Sequence, residues 1–537
     1  MPGRCRSGSA KSDDARLRTV RGAARRAFIV AIGCIAAVPG LGHAEKWTMT
    51  SSAGITGTYN HYIGQDQPND DFVTSLSAGV TFDGEGARLR VSGTVGATEL
   101  LYSGGGQSNS FAPSVAVTGH LEAVEKFFFV DAAAYVSQTF ISPFGAQPGN
   151  ITTPTNNRYT QETYSVSPYI QGNLGSYVTY AVRDDNAWTT SSSYGGSSFT
   201  TPSTYWNNFD AQANYSPPGR LSWQLGYNAQ YYDSGVPTGT YTVQLARAIG
   251  TYRVDPQLDV SARVGYEKDR FPQATTLGTP PQGSIYGVGV HWRPTDRTDL
   301  NGYWEEHYYG SNYSWALTHR LPNVALSANF TRGLASYPQL ALLIPGGVSV
   351  AQFLDLAFTT RIPDPVERAQ AVAQFLAQTG LPPTLSSPLN VYATSLTLQN
   401  TATLSAVWVG ALNSIAFTLY RVESQAISGQ GSPLPPPFQV SSDYTQAGAG
   451  LSYSHRLSGL ANFNASVSYS RTTPNTTDES VSSFRSDNFN ASAAVSKQLS
   501  PKTGCTVGVT YFVFETPGSN TGRQTTLSVY GTLSHTF

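Results

Sequence analysis

Apolar and polar residues alternate with a period of two along most of this 537-residue chain. Leu76, Ala78, Val80 and Phe82 interleave with Ser75, Ser77, Gly79 and Thr81. Leu89, Val91, Gly93, Val95 and Ala97 interleave with Arg88, Arg90, Ser92, Thr94 and Gly96. The pattern returns at Leu451–Leu457, Phe463–Tyr469, Phe489–Val495 and Val507–Tyr511, and the chain ends inside such a run at Phe537. Side chains of a strand alternate between its faces, so each run has one apolar face and one small, polar face. A run of roughly 9–11 residues is the length a tilted strand needs to cross a hydrocarbon layer.

The connections between runs sort into two classes. Asp83–Gly86, Asn173–Gly175, Ser216–Gly219, Asp255–Gln257, Pro294–Asp296 and Ser500–Thr503 are tight turns. The stretches Ser142–Asn157, Thr189–Ser203, Phe271–Gly283 and Glu423–Ser442 are long and rich in Gly, Ser, Thr, Asn and Pro. Short and long alternate, as periplasmic turns and outer loops do in a transmembrane barrel, whereas a soluble sandwich would mix its connection lengths. The expected fold is all-β: one large antiparallel transmembrane barrel of about 22 strands, within a range of about 18 to 24. An even number places both ends in the periplasm.

Composition agrees. Only 12% of residues are charged, against roughly 25% in soluble proteins. No run after the N-terminus reaches about 18 apolar residues, so strands, not helices, would do the crossing. Trp206, Trp292, Trp304 and Trp408 fall near expected strand ends, where an interfacial girdle would place them.

The N-terminus has its own pattern. Five arginines between Arg16 and Arg26 precede an apolar run from Ala27 to Val38 and the small residues before Glu45. Residues 1–44 thus read as a cleaved signal peptide, and 45–537 as the barrel. Arg25-Arg26-Ala27-Phe28-Ile29 resembles a twin-arginine signal, a route for folded cargo, so export of the unfolded chain is preferred. Cys34 lacks the context of a lipidated cysteine. Losing eight of 33 basic and two of 34 acidic residues leaves 25 against 32, a net charge of −7. Without a basic stripe, no nucleic-acid partner is expected. Only Cys505 survives processing, which excludes an intramolecular disulfide.

One segment breaks the alternation. Asp364 offers an N-cap, Pro365 a first helical residue, Glu367 a capping-box partner and Gly380 a stop. Between them Val366, Ala369, Ala373 and Leu376 would share one face, with Phe375 beside it. The reading is a single amphipathic helix within a long loop, 334–395, acting as a plug or a lid. A plug is preferred, because the apolar face needs burial.

Three stretches carry a family resemblance. "TTRIPDPVERAQAVAQFLAQTGLPPTLSSPLNVYATSLTLQ", "VGALNSIAFTLYRVES" and "AGLSYSHRLSGLANFNASVSYSR" resemble the barrel proteins associated with the PEP-CTERM/exosortase system of Gram-negative bacteria. That resemblance implies an outer-membrane role in exopolysaccharide production or export, as a structural or conduit component, with polysaccharide or export proteins as partners. It transfers no catalytic residue. The terminal strand, with Val529, Gly531, Leu533, His535 and Phe537 on one face, looks like the signal read by the barrel-assembly machinery. Membrane lipid and that machinery are therefore expected partners.

Little chemistry is visible. The histidines are scattered singly, with no metal or phosphate motif. Glu305 and His307 would share a strand face as an acid/base pair, but a solvated strand end is preferred. Arg88 and Arg90, on the expected inner face, would pair with acidic neighbours. No enzyme, cofactor, metal or catalytic residue is expected. The alternative function is a general porin for small solutes. An energised uptake receptor would need a folded N-terminal plug domain, and strands beginning soon after Glu45 speak against one.

Overall fold

The computed structural model describes residues 44–537 apart from 64–69, 104–107, 196–198, 236–239, 272–279, 337–348, 360–361, 380, 382–383, 390–395, 428–442, 476–484 and 517–522. The leader up to residue 43, with Cys5 and Cys34, and the helix-ending Gly380 lie outside the described residues.

In chain order the strands are β1 (Ala44–Ile63), β2 (Asp71–Gly86), β3 (Leu89–Tyr102), β4 (Ser110–Val124), β5 (Phe128–Phe140), β6 (Arg158–Leu174), β7 (Val178–Ser193), β8 (Thr204–Tyr215), β9 (Leu221–Asp233), β10 (Thr240–Asp255) and β11 (Leu258–Arg270). They continue as β12 (Gln282–Thr295), β13 (Thr298–His307), β14 (Gly310–Leu321), β15 (Val324–Ala335), β16 (Thr397–Val409), β17 (Asn413–Ala426), β18 (Tyr444–Arg456), β19 (Ala461–Pro474), β20 (Ser486–Ser500), β21 (Thr503–Glu515) and β22 (Arg523–Thr536). Each pairs antiparallel with the next, and β1 pairs with β22, so the 22-stranded sheet closes on itself. Closure satisfies every strand edge, the condition for placing a sheet in lipid.

The seam explains the chain's last residues. Ile55 faces Leu533 and Tyr59 faces Val529 on the outer side. On the inner side the Thr56 and Thr532 hydroxyls meet at 2.8 Å. Phe537 donates its N–H to the Ser51 carbonyl at 2.9 Å and is 65% exposed, as a lipid-facing end residue would be. Cross-strand partners share a face, so the outer wall can be followed from strand to strand. Large apolar side chains along it, among them Leu225, Val264, Val288 and Val507, are half or more exposed, which marks a surface meant for lipid. Trp292, Trp304 and Trp408 are on that surface. Trp206 is not: it is buried among Tyr232, Tyr241 and Tyr309, because its parity on β8 points it into the lumen.

Short turns and long connections alternate with one exception. β13 and β14 meet at the long-loop rim through two residues, Tyr308 and Tyr309. Gly310 closes that turn at φ 94°, a conformation that favours glycine. Arg90 pairs with Glu85, and Arg88 with Glu125 at 3.3 Å, so these arginines are occupied by neighbours.

Two connections leave the outer rim and turn inward. The first follows β5. Gln147 and Gly149 donate backbone N–H groups to Asn488 Oδ1 at 2.9 Å and Asn490 Oδ1 at 2.7 Å, both on the inner face of β20. Asn60 on β1 donates to the Thr152 carbonyl at 3.1 Å. Arg158, buried at the start of β6, donates to the carbonyls of Pro148 and Asn150 at 3.1 and 3.2 Å. A segment expected as an outer loop is therefore fastened by side-chain hydrogen bonds to β1 and β20, strands that do not neighbour it.

The second connection joins β15 to β16 and contains two helices among the described residues, not one: α1 (Val350–Phe358) and α2 (Pro365–Thr379). Asp364 Oδ1 accepts the Glu367 N–H at 2.9 Å, the expected N-cap of α2. Arg368 Nε reaches Asp355 Oδ1 at 2.6 Å and ties the helices together, and Phe358 packs edge-on to Phe375 at 5.5 Å. The buried face of α2 is Val372 with Phe375 and Leu376; Ala369 and Ala373, expected on that face, are exposed. The stronger apolar face belongs to α1, whose Val350, Phe353, Leu354 and Ala357 are buried against Ala325, Val407, Val409 and Ala416. These wall residues alternate with exposed Leu326, Trp408 and Phe417, so they face inward. They also lie beside the short turns, about ten residues and roughly 33 Å along the strands from the rim at Ala335.

Candidate functional site

Between the helical connection and the wall of β9 to β18 lies a cavity of about 980 Å³. Its lining comes from the outer halves of the strands, from the end of β5, and from Ser387, Pro388 and Leu389 of the helical connection. Leu389 is held there by its N–H to Gln446 Oε1 of β18 at 2.9 Å. Gly450 on β18 makes room for this segment, since a Cβ there would lie 2.4 Å from Ser386 Oγ. Phe144 of the first inward segment meets Tyr444 of β18 edge-on at 6.3 Å. The helical connection thus lines the cavity, and the first segment packs on Tyr444, a lining residue of β18.

The opposite lining is polar and aromatic. Asn228 and Gln230 on β9, Arg247 on β10, Tyr303 and His307 on β13, and Tyr309 in the turn face the space. Behind them is a buried ionic cluster. Arg263 Nε contacts Glu305 Oε1 at 2.6 Å, with Arg247 Nε 3.4 Å from the same oxygen. His307 lies between two carboxylates, Nδ1 at 2.8 Å from Glu267 Oε2 and Nε2 at 3.3 Å from Glu305 Oε2. The Arg263 guanidinium also stacks over Tyr303 at 4.2 Å. Glu305 is fully buried, and two guanidinium groups and an imidazole surround its carboxyl, the pairing that a buried carboxylate requires.

The rim turn is fixed on the same cluster. Tyr308 donates its N–H to Glu267 Oε1 at 3.1 Å and its hydroxyl to Asp269 Oδ2 at 2.7 Å. Asn312 donates to the Tyr309 hydroxyl at 2.8 Å. Burial pushes both phenols well above their ordinary range, helped in Tyr308 by the Asp269 carboxylate.

Glu305 and His307 do share a face, as the alternation predicts, but they form a buried ion network rather than a solvated strand end. Both ring nitrogens of His307 are engaged by carboxylates, which suits positioning better than proton exchange with solvent. Among the described residues no group of His, Cys, Asp or Glu is arranged to hold a metal ion. Arg263, Glu267 and Arg247 went unnoticed in the sequence because the registers of β10, β11, β12 and β13 must all be aligned before they meet Glu305. The assembly-strand residues Val529, Gly531, Leu533, His535 and Phe537 lie at the seam, away from the cavity. His535 Nδ1 is 2.9 Å from the Thr503 hydroxyl.

No family model matches the chain, and no curated protein matches it. Among solved structures, it is similar to the siderophore receptor PirA from Acinetobacter baumannii, at 10% identity and a TM-score of 0.43, over 91% of this chain and 80% of that one. It is similar to the FrpB iron transporter from Neisseria meningitidis in its apoprotein form, at 8% identity and a TM-score of 0.45, over 91% and 81%. It is also similar to the ferric enterobactin receptor PfeA from Pseudomonas aeruginosa, at 9% identity and a TM-score of 0.44, over 91% and 81%. These findings correct the expected membership in the PEP-CTERM/exosortase group: no family evidence supports it, and the similar structures are siderophore and iron receptors. The exopolysaccharide role and its general-porin alternative are withdrawn with it. The chain is a 22-stranded antiparallel β-barrel of the bacterial outer membrane.

Proposed function

We propose that the barrel is a gated outer-membrane transporter that binds one small polar solute in its outer chamber and passes it only when the inward helical segment moves. The observation that carries this is the cavity of about 980 Å³ above a floor of α1 and α2. An empty 22-stranded barrel would be a wide aqueous pore, and barrels of this size that transport selectively carry something inside. The lining suits a solute with several hydrogen-bonding groups on an apolar frame, because amides, phenols, Arg247 and Arg332 converge on it beside Val243, Leu245, Leu334 and Val422. Uptake of iron bound to a siderophore, the task named for the similar structures, is one member of this class.

The test joins binding to conductance. Purified barrel is titrated with a panel of polar solutes that includes ferric siderophores, following tryptophan fluorescence, and its conductance is recorded in planar bilayers with and without residues 349–389. A closed wild type, an open deletion variant and saturable binding lost in Arg247→Ala support the reading. A wild type that conducts as freely as the deletion variant overturns it. We also retain the terminal strand as an assembly signal. Removing Phe537 should lower the yield of folded barrel in the outer membrane, and an unchanged yield would sink that part.

A further inference from the structure

The outer wall of β7 and β8 carries polar groups where lipid is expected. Asp184 faces Phe209, and Asn186 faces Asn207. Phe209 in turn faces Ala229, which alternates with exposed Leu225, Tyr227 and Tyr231, so all of these residues point away from the lumen. Tyr180 and Trp188 share this stripe four residues to either side of Asp184, roughly 13 Å along the strand. Asp184 therefore stands near the middle of the hydrocarbon band rather than at its edge.

Its partners are carboxamides, not cations. Asn207 Nδ2 reaches Asp184 Oδ1 at 2.7 Å, and Asn186 Nδ2 reaches Oδ2 at 2.9 Å. Tyr205 donates its hydroxyl to Asn186 Oδ1 at 2.7 Å. A carboxylate can accept about four hydrogen bonds, and hydrocarbon chains supply none. An ionisable group at this depth is costly when it faces lipid and is retained where something other than lipid covers it.

We propose that this face is where a second copy of the chain packs, forming a two-fold dimer in the plane of the membrane. The polar set is self-complementary: each carboxamide both donates and accepts, so the carboxamides of one copy can donate to the free acceptor positions of Asp184 in the other. A two-fold contact sets the same patch against itself, which this arrangement satisfies and a lipid tail does not. Ala211, Ala213 and Ala229 flank the patch on the same face, so two walls can approach closely. The inference is independent of what the lumen transports.

The test compares wild type with Asp184→Leu/Asn186→Leu/Asn207→Leu in lipid nanodiscs and liposomes, reading association by native mass spectrometry and single-molecule photobleaching. Heat-modifiable migration on gels reports whether each barrel is folded. A dimeric wild type and a folded triple variant at least about tenfold weaker in association support the proposal. A monomeric wild type, or a triple variant that dimerises as well as wild type, overturns it. A second measurement covers the case in which the triple variant does not fold. In a Cys505→Ser background, Ala211→Cys should form an intermolecular disulfide, and Val467→Cys, exposed on the wall of β19, should not. Equal cross-linking at both positions, or at neither, would also overturn it.

Discussion

Replacing Leu354 by alanine should open the barrel without unfolding it. Leu354 is fully buried in α1, against inner-wall residues that belong to the barrel rather than to the helix. Truncating a buried leucine costs about 2–5 kcal/mol, the spread depending on how far the surroundings collapse into the cavity. The loss falls on docking of the helical segment, since the strands keep every backbone partner whether or not α1 is seated. At about 1.4 kcal/mol per factor of ten, the undocked population should rise at least about 30-fold. The assay is single-channel recording, scoring opening frequency for wild type, Leu354→Ala and a lipid-facing control, Leu451→Ala. Openings should multiply in the first variant alone, while both remain heat-modifiable on gels. An unchanged opening frequency in a folded Leu354→Ala barrel would refute the reasoning, because it would mean that the floor does not depend on this contact.

Other expectations follow from the same contacts. Asn488→Ala with Asn490→Ala removes the acceptors of two backbone N–H groups; at about 1 kcal/mol or more each, hydrogen exchange across residues 145–152 should accelerate at least about tenfold. Glu305→Gln leaves Arg263 and Arg247 facing one another without a full counter-charge, a loss on the order of 3 kcal/mol, which should lower the temperature at which the barrel loses its folded migration on gels. Gly450→Val should displace the segment at Ser386, because even a Cβ would lie 2.4 Å from Ser386 Oγ, and protease sensitivity near residue 386 should increase. Asp70, in the connection after β1, is held down to about 2 by the Tyr59 hydroxyl first, then by His61 and the Tyr62 N–H. A lowered folded value means its bonds are intact above the ordinary carboxylate range and are lost as pH falls through about 2, so its carboxylate infrared band should persist at pH 3.

The wall was legible because its rule is local. Period two and the split between short and long connections led to about 22 strands and a seam at the last residue, and the pairing of β1 with β22 agrees. α2 was legible from Asp364, Pro365 and Glu367 for the same reason. α1 was not: Ser349 makes no side-chain cap bond, and a nine-residue apolar run has no boundary signal of its own. The inward course of the β5–β6 connection rests on Asn488 and Asn490, some 340 residues away, so nothing within the loop announces it. Burial of Glu305 and His307 depends likewise on Arg263 and Glu267 from another strand. The family resemblance drew on the helix and its flanks, which any barrel with a capped helix in a loop can share.

The chamber's position bears on how transport could be controlled. Leu389 of the helical connection lines the chamber, held by Gln446 of β18, and Tyr444 of β18, which also lines it, packs against Phe144 of the other inward segment. A solute seated in the chamber thus touches the surroundings of both segments at once, while each segment is anchored elsewhere on the barrel. A ligand shifts an equilibrium only by its difference in affinity between the two states. The polar lining is fixed to the wall through Glu305 and its partners, whereas Leu389 and Phe144 belong to the inward segments rather than to the wall. Under the proposed function, binding energy from the fixed side would hold the solute, and contacts on the inward segments would decide whether the barrel stays closed. That reading would assign selectivity and gating to different residues of one cavity, a separation that a uniformly lined pore could not achieve.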